Sequence, residues 1–297
     1  MDALPMRRNI LLTLLLSLLV VLPAFFSISC NKEKPVLPDD EEPVVDSTMT
    51  TLKFRNAGPH EVENLQLLIY GSDGTRQLET LLRFDGLPDS VEVVTTEGEK
   101  LVAAVANSPK ALSPVALGRY DSLKELGWDF NDEDPESPIM SGQCETLQNN
   151  GEIVLEPLVC QVVIAAISNS MDDYELVESP RVRLVNLNGY AGVMQEDGFR
   201  PTETIDFGEW KDLPYDIGMF TQNPGTTLYC YPNETEQSSL GGVVTSLELE
   251  CLILGEPCNF TVQLPPFGRG ARLLVDITIG GPESCRFKIY EDKTPER

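Results

Sequence analysis

The chain has one histidine, His60, and two tryptophans, Trp128 and Trp210, in 297 residues. A lone histidine leaves little room for a Ser-His or Cys-His nucleophile system, and no Ser or Cys stands in a G-x-S-x-G turn. It sits in the turn NAGPHEVEN, where a surface position is expected. Neither C-x-x-C nor H-E-x-x-H occurs, which removes the common zinc patterns. No P-loop or G-x-G-x-x-G follows a strand. Basic residues are also scarce: 22 Lys plus Arg stand against 47 Asp plus Glu, a formal charge of -25. Such a chain repels phosphate backbones, so no nucleic-acid partner is expected.

The acidic stretch with Asp129, Asn131, Glu133, Asp134 and Glu136 offers oxygen ligands. An EF-hand loop wants Gly at its sixth position and Glu at its twelfth. Here the sixth is not Gly and the twelfth is Met140, so the stretch reads as a solvated turn. No catalytic residue, metal or cofactor is expected.

What the chain does have begins with a leader. Arg7 and Arg8 precede an apolar run from Ile10 to Phe26, and Pro23 near its end suits a cleaved segment. No later run approaches this length, so no second membrane span is expected. The run ends in Ser27-Ile28-Ser29-Cys30, which resembles a bacterial lipobox, with Ser27 where Leu is usual. Cleavage before Cys30 would leave residues 1–29 as signal peptide and make Cys30 the lipid-attachment site. Two or three acyl chains hold a protein firmly at a membrane. Cysteine parity agrees: of seven cysteines, six remain once Cys30 carries lipid. Those six, Cys144, Cys160, Cys230, Cys251, Cys258 and Cys285, allow fifteen disulfide connectivities. The order of predicted strands suggests Cys230–Cys251, Cys258–Cys285 and Cys144–Cys160.

Residues 30–48 are rich in proline and acid and read as an extended tether. Beyond them, short β-rich runs are punctuated by GSDG, GLPD and TEGE turns. They lie at 50–55, 64–70, 76–84, 90–96 and 100–107. One helix is expected over 118–130, from the spacing of Tyr120, Leu123 and Leu126 with Gly127 as a stop. A second β-rich half runs through 151–169, 180–190, 225–233, 241–254, 258–265, 271–279 and 285–290. About twelve short strands and one helix predict an all-β protein of two tandem antiparallel β-sandwich domains, with the short helix in the first. The domains are placed at 49–156 and 157–297, with the long run around Glu156 passing from one to the other.

Several segments carry a family likeness. VAAVANSP (102–109), YDSLKEL (120–126), SPIMSGQ (137–143) and LYCYPNET (228–235) resemble, in order, motifs of Bacteroidales fimbrillin-type proteins, the FimA/Mfa-like subunits and anchors of type V fimbriae. LEPLVCQVVI (155–164) takes the place of that family's L-x-R-x-V-A-K-V strand, with Leu158 and Cys160 at its basic positions. The resemblance implies transthyretin-like sandwiches, export to the outer membrane surface, adhesion, and assembly by β-strand complementation with other fimbrial subunits. Partners would be those subunits and host or bacterial surface receptors. It also implies that an arginine-specific protease can remove the first strand, here by cutting at Arg55. The short chain after residue 279 points to an anchor, tip or accessory subunit over a stalk subunit. The likeness to sites O-glycosylated in such bacteria falls on 46–48, 89–91 and 121–123; Asn233 and Asn259 head N-x-[ST] sequons. A second reading is a glycan- or peptide-binding lipoprotein of an uptake system, which would need an aromatic platform built on Trp128 or Trp210.

Overall fold

The computed structural model describes residues 47–71, 73–146, 148–172 and 175–292. The leader, Cys30 and the tether up to residue 46 lie outside them. The first strand already begins at Ser47, two residues inside the segment read as tether.

The first half contains β1 (Ser47–Asn56), β2 (Asn64–Gly71), β3 (Leu78–Asp85), β4 (Ser90–Thr96), β5 (Lys100–Ala106), α1 (Tyr120–Lys124), β6 (Gly127–Asp129), β7 (Met140–Glu145) and β8 (Asn150–Pro157). Seven of these strands form one sheet in the order β3-β2-β5-β7-β8-β1-β4. The sequence explains which strands lie in the middle. β2 and β5 read NLQLLIYG and KLVAAVA, with little alternation, because both faces are covered. Leu68, Tyr70, Leu101, Ala103 and Val105 face a core with Tyr120, Leu123 and Trp128. Leu65, Leu67, Ile69, Val102 and Ala104 face another with Leu52, Val93 and Ile153.

The sheet folds on itself until its two edges meet. Glu79 of β3 accepts hydrogen bonds from the Thr96 hydroxyl at the end of β4 (2.7 Å) and from buried Lys100 (2.9 Å). Partial burial pushes the Glu79 carboxyl up, but these hydrogen bonds outweigh it and hold its pKa below the ordinary value. The helix is shorter than the spacing predicts. It stops at Lys124 because residues 127–129 instead form β6.

The second half contains β9 (Cys160–Asn169), β10 (Val177–Asn188), β11 (Tyr190–Gly192), β12 (Thr204–Phe207), β13 (Lys211–Asp212), β14 (Thr226–Cys230), β15 (Ser246–Ile253), β16 (Glu256–Gln263), β17 (Arg272–Gly281) and β18 (Ser284–Glu291). One sheet runs β14-β9-β17-β18. The other runs β12-β10-β15-β16, with β13 also on β10. Alternating side chains of both sheets, such as Val162, Ile164, Leu184, Leu247, Leu249 and Ile277, share one core. The β15–β16 hairpin turns on Leu254 and Gly255, both at positive φ (55° and 77°), as a two-residue hairpin requires.

The protein is all-β, as expected. Among the described residues two pairings are parallel, β1 with β8 and β9 with β17; the other ladders are antiparallel. The run predicted over 151–169 is broken at Leu158 and Val159, which enter a small core with Ala191, Phe199 and Tyr231. The six described cysteines are free thiols. None of the three suggested pairs is bonded. The strand register places Cys230 opposite Cys160 and Cys251 opposite Cys258.

A candidate strand groove and the junction behind it

β1 is an inserted strand. It pairs antiparallel with β4 from Ser47↔Thr96 to Lys53↔Ser90, and parallel with β8 from Thr51↔Asn150 to Asn56↔Leu155. Its inward side chains are Thr50, Leu52 and Phe54. The Thr50 hydroxyl meets the Thr95 hydroxyl at 3.0 Å, and Leu52 is fully buried. Gly151 lies opposite Leu52, and a Cβ there would sit 3.1 Å from Leu52 Cδ2 and 2.8 Å from Cys144 Sγ. The missing side chain makes room for Leu52. Taking β1 away would bare two backbone edges and an apolar floor, which is the geometry a foreign strand can fill.

Arg55 lies near the end of this strand. Its side chain is 62% exposed and stands 3.7 Å from Glu152, a surface pair of small energetic weight. Its backbone is in register with Val154 of β8, while the β4 ladder has already ended at Lys53. His60 follows in the loop, half-buried, and its carbonyl accepts a hydrogen bond from the Asn56 amide.

Behind the groove, the two halves are joined through Arg269, which the sequence reading missed. Its guanidinium donates to the carbonyls of Glu156 (2.7 Å) and Val193 (2.9 Å) and to the Ser141 hydroxyl (2.8 Å). Longer bonds reach the carbonyls of Gln195 and Ser141. Loss of solvent lowers its pKa to about 10. The sequence FGRGARLL gives no hint of this, since an arginine between glycines reads as a surface loop. A second latch joins Tyr231, whose hydroxyl donates to Glu133 Oε2 (2.6 Å), with the Ile139 N–H, which donates to Glu133 Oε1 (2.7 Å). Burial raises the Glu133 pKa against those bonds, and burial beside Glu133 raises that of Tyr231. The carboxylate thus serves as a structural acceptor within the acidic turn. The segment after β11 also crosses over: Val193 and Met194 pack in the core with Tyr70 and Leu123.

Trp128 is buried in β6. Trp210 is half-buried, with the guanidinium groups of Arg181 and Arg183 over its ring at 4.7 Å and 4.4 Å. Arg183 also stands 4.4 Å from the Phe207 ring. Neither tryptophan is left as a bare platform for a sugar ring. A cavity of about 350 Å³ opens between the edges of the second sandwich, lined by Phe130, Leu184, Leu187, Ile205, Phe207 and Leu228 among others. Lys211 bridges its mouth to the Thr227 carbonyl at 2.9 Å.

No family model matches the chain, and no curated protein matches it. Solved structures do. A fimbrilin from Porphyromonas gingivalis covers 80% of this chain and 92% of its own, with a TM-score of 0.57 and 12% identity. The fold is that of the Bacteroidales fimbrilins. A protein assigned to cell adhesion from Parabacteroides distasonis matches with a TM-score of 0.62 and 14% identity, over 82% of this chain and 96% of its own. A fimbrial assembly protein from the same organism matches with a TM-score of 0.52 and 16% identity, over 83% and 99%. At such identities the likeness is one of fold. Asn233 belongs to the YPN motif. Its amide donates to the Val243 carbonyl (2.9 Å) and Thr245 hydroxyl (3.1 Å), so the sequon that it heads is buried.

Proposed function

We propose that this chain is a surface lipoprotein of the fimbrial adhesion class, acting as an anchor, tip or accessory subunit and without catalysis. The observation that carries this reading is the seat of β1 between β4 and β8 within a fimbrilin-like fold. In this reading Cys30 carries the lipid, residues up to the start of β1 hold the folded part off the outer membrane, and 49–156 and 157–297 are the two sandwich domains. An intact β1 keeps the groove filled. A cut at Arg55 would require the end of β1 to leave β8, because the backbone there is still in the ladder. If β1 leaves, a strand from another fimbrial subunit takes its place by backbone pairing, with alternate side chains giving fit. The uptake reading is weaker, since Trp128 is in the core and Trp210 is covered by two arginines.

The test is made in a Bacteroidales host expressing the full chain. Labelled palmitate is expected to enter the wild type and not Cys30→Ser, and antibodies are expected to label intact cells only for the wild type. Fimbrial subunits should co-purify with it. An unacylated protein with a mature end other than Cys30, absent from the cell surface, would overturn the reading.

A further inference from the structure

The cysteines are not scattered through the fold. Cys160 of β9 and Cys230 of β14 are direct register partners, as are Cys251 of β15 and Cys258 of β16. All four are buried in the second core. Both pairs are of the hydrogen-bonded kind. Gln161 turns its N–H to Ala271 of the β17 side (2.9 Å), which turns the backbone N–H and C=O of Cys160 toward β14, while its thiol donates to the Gly268 carbonyl (3.0 Å). Leu264 donates to Thr245 (2.9 Å), and every second pair along that ladder, Cys251↔Cys258 included, repeats the pattern. Opposed residues of this kind have Cα atoms about 5.5 Å apart, inside the ~4.4–6.8 Å range of disulfides. Cys144 and Cys285 have no such neighbour: their opposites are Val102 and Ile279.

We propose that Cys160–Cys230 and Cys251–Cys258 are disulfide sites, and that Cys144 and Cys285 remain thiols. The oxidant is a small-molecule or protein disulfide. One cysteine thiolate attacks it and displaces a thiol, giving a mixed disulfide. The second cysteine thiolate then displaces the other oxidant thiol. Two protein thiols lose two protons and two electrons, and one oxidant disulfide becomes two thiols. The exchange belongs to the folding chain. In the closed sandwich burial pushes the Cys160 and Cys251 thiols up to about 12, which leaves almost no thiolate to react. The Cys160–Cys230 bond fastens the edge strand β14 at the point where the chain enters the second half. The inference does not depend on the adhesion reading.

The experiment refolds the full chain from denaturant in a glutathione disulfide and glutathione buffer, blocks thiols with N-ethylmaleimide, and maps the linked peptides by mass spectrometry. The expected map has both linkages, with Cys144 and Cys285 alkylated. Reduction is expected to lower Tm by about 10 °C, mostly through the long loop closed by Cys160–Cys230. Cys160→Ser with Cys230→Ser should abolish most of that shift, and Cys144→Ser with Cys285→Ser should leave it. Complete alkylation of the four partners, or a bond from Cys251 or Cys258 to Cys285, would overturn the proposal.

Discussion

Replacing Arg269 with methionine is expected to destabilise the protein by about 3–4 kcal/mol and to lower Tm by about 10 °C. The side-chain volume is nearly kept, so the loss is polar. The Glu156, Val193 and Gln195 carbonyls and the Ser141 hydroxyl lose a shared donor at the junction of the two halves. Arg269→Lys should recover less than half of the loss, because a single ammonium cannot reach a fork of acceptors spread over three chain segments. The second expected sign is in the shape of the transition. With the joint weakened, calorimetry should resolve two overlapping unfolding steps where the wild type shows one. A Tm within ~2 °C of wild type for Arg269→Met would contradict this account of the junction.

Gly142→Ala is the other large effect. A Cβ at Gly142 would lie 2.0 Å from the Val154 carbonyl oxygen and 2.9 Å from its carbon. These are backbone atoms of β8 and cannot swing aside as a side chain can. The β7–β8 ladder consists of Met140↔Pro157 and Ser141↔Glu156, and Gly142 follows it directly, against Val154. Forcing the strands apart would disturb that short ladder and Ser141, one of the Arg269 acceptors. The expected cost is about 3 kcal/mol or more. Gly74→Ala is the control, since nothing lies within 4 Å of its added Cβ. Chemical denaturation of the two variants tests this; equal midpoints would contradict it.

The all-β character and most long strands were legible because their apolar periodicity is local. β2, β5, β15 and β17 are legible from their own residues. β6, β11, β12 and β13 were not, since each is only two to four residues long and exists through its partner. β7 reads as a motif, MSGQ, rather than as a strand, because Gly142 and Ser141 look like turn residues. The motifs that carried the family resemblance are structural joints. Asn107 of ANSP sits at positive φ (54°), accepts from the Glu63 N–H, and donates to the Glu61 and Pro138 carbonyls. Tyr120 and Leu123 of YDSL are the buried face of the helix. Such residues are readable as a pattern, but the reason for them lies in distant chain segments. The groove is harder still. TTLKFR reads as one more half-buried strand, and only the sheet order reveals that it lies between two others. The cysteine pairs fail because strand register decides them, between the distant strands β9 and β14 in one case and across the β15–β16 hairpin in the other.

The central claim is that β1 is an exchangeable strand seated in a groove. The most direct measurement uses a chain lacking everything up to Asn56 and a synthetic peptide spanning Ser47–Asn56. The account predicts that the peptide binds and restores a cooperative thermal transition close to that of the full chain. A peptide carrying Leu52→Asp should do neither, because it would bury a carboxylate against Ile153 and Val93. A shortened chain as stable as the full chain, with no affinity for the peptide, would contradict the claim.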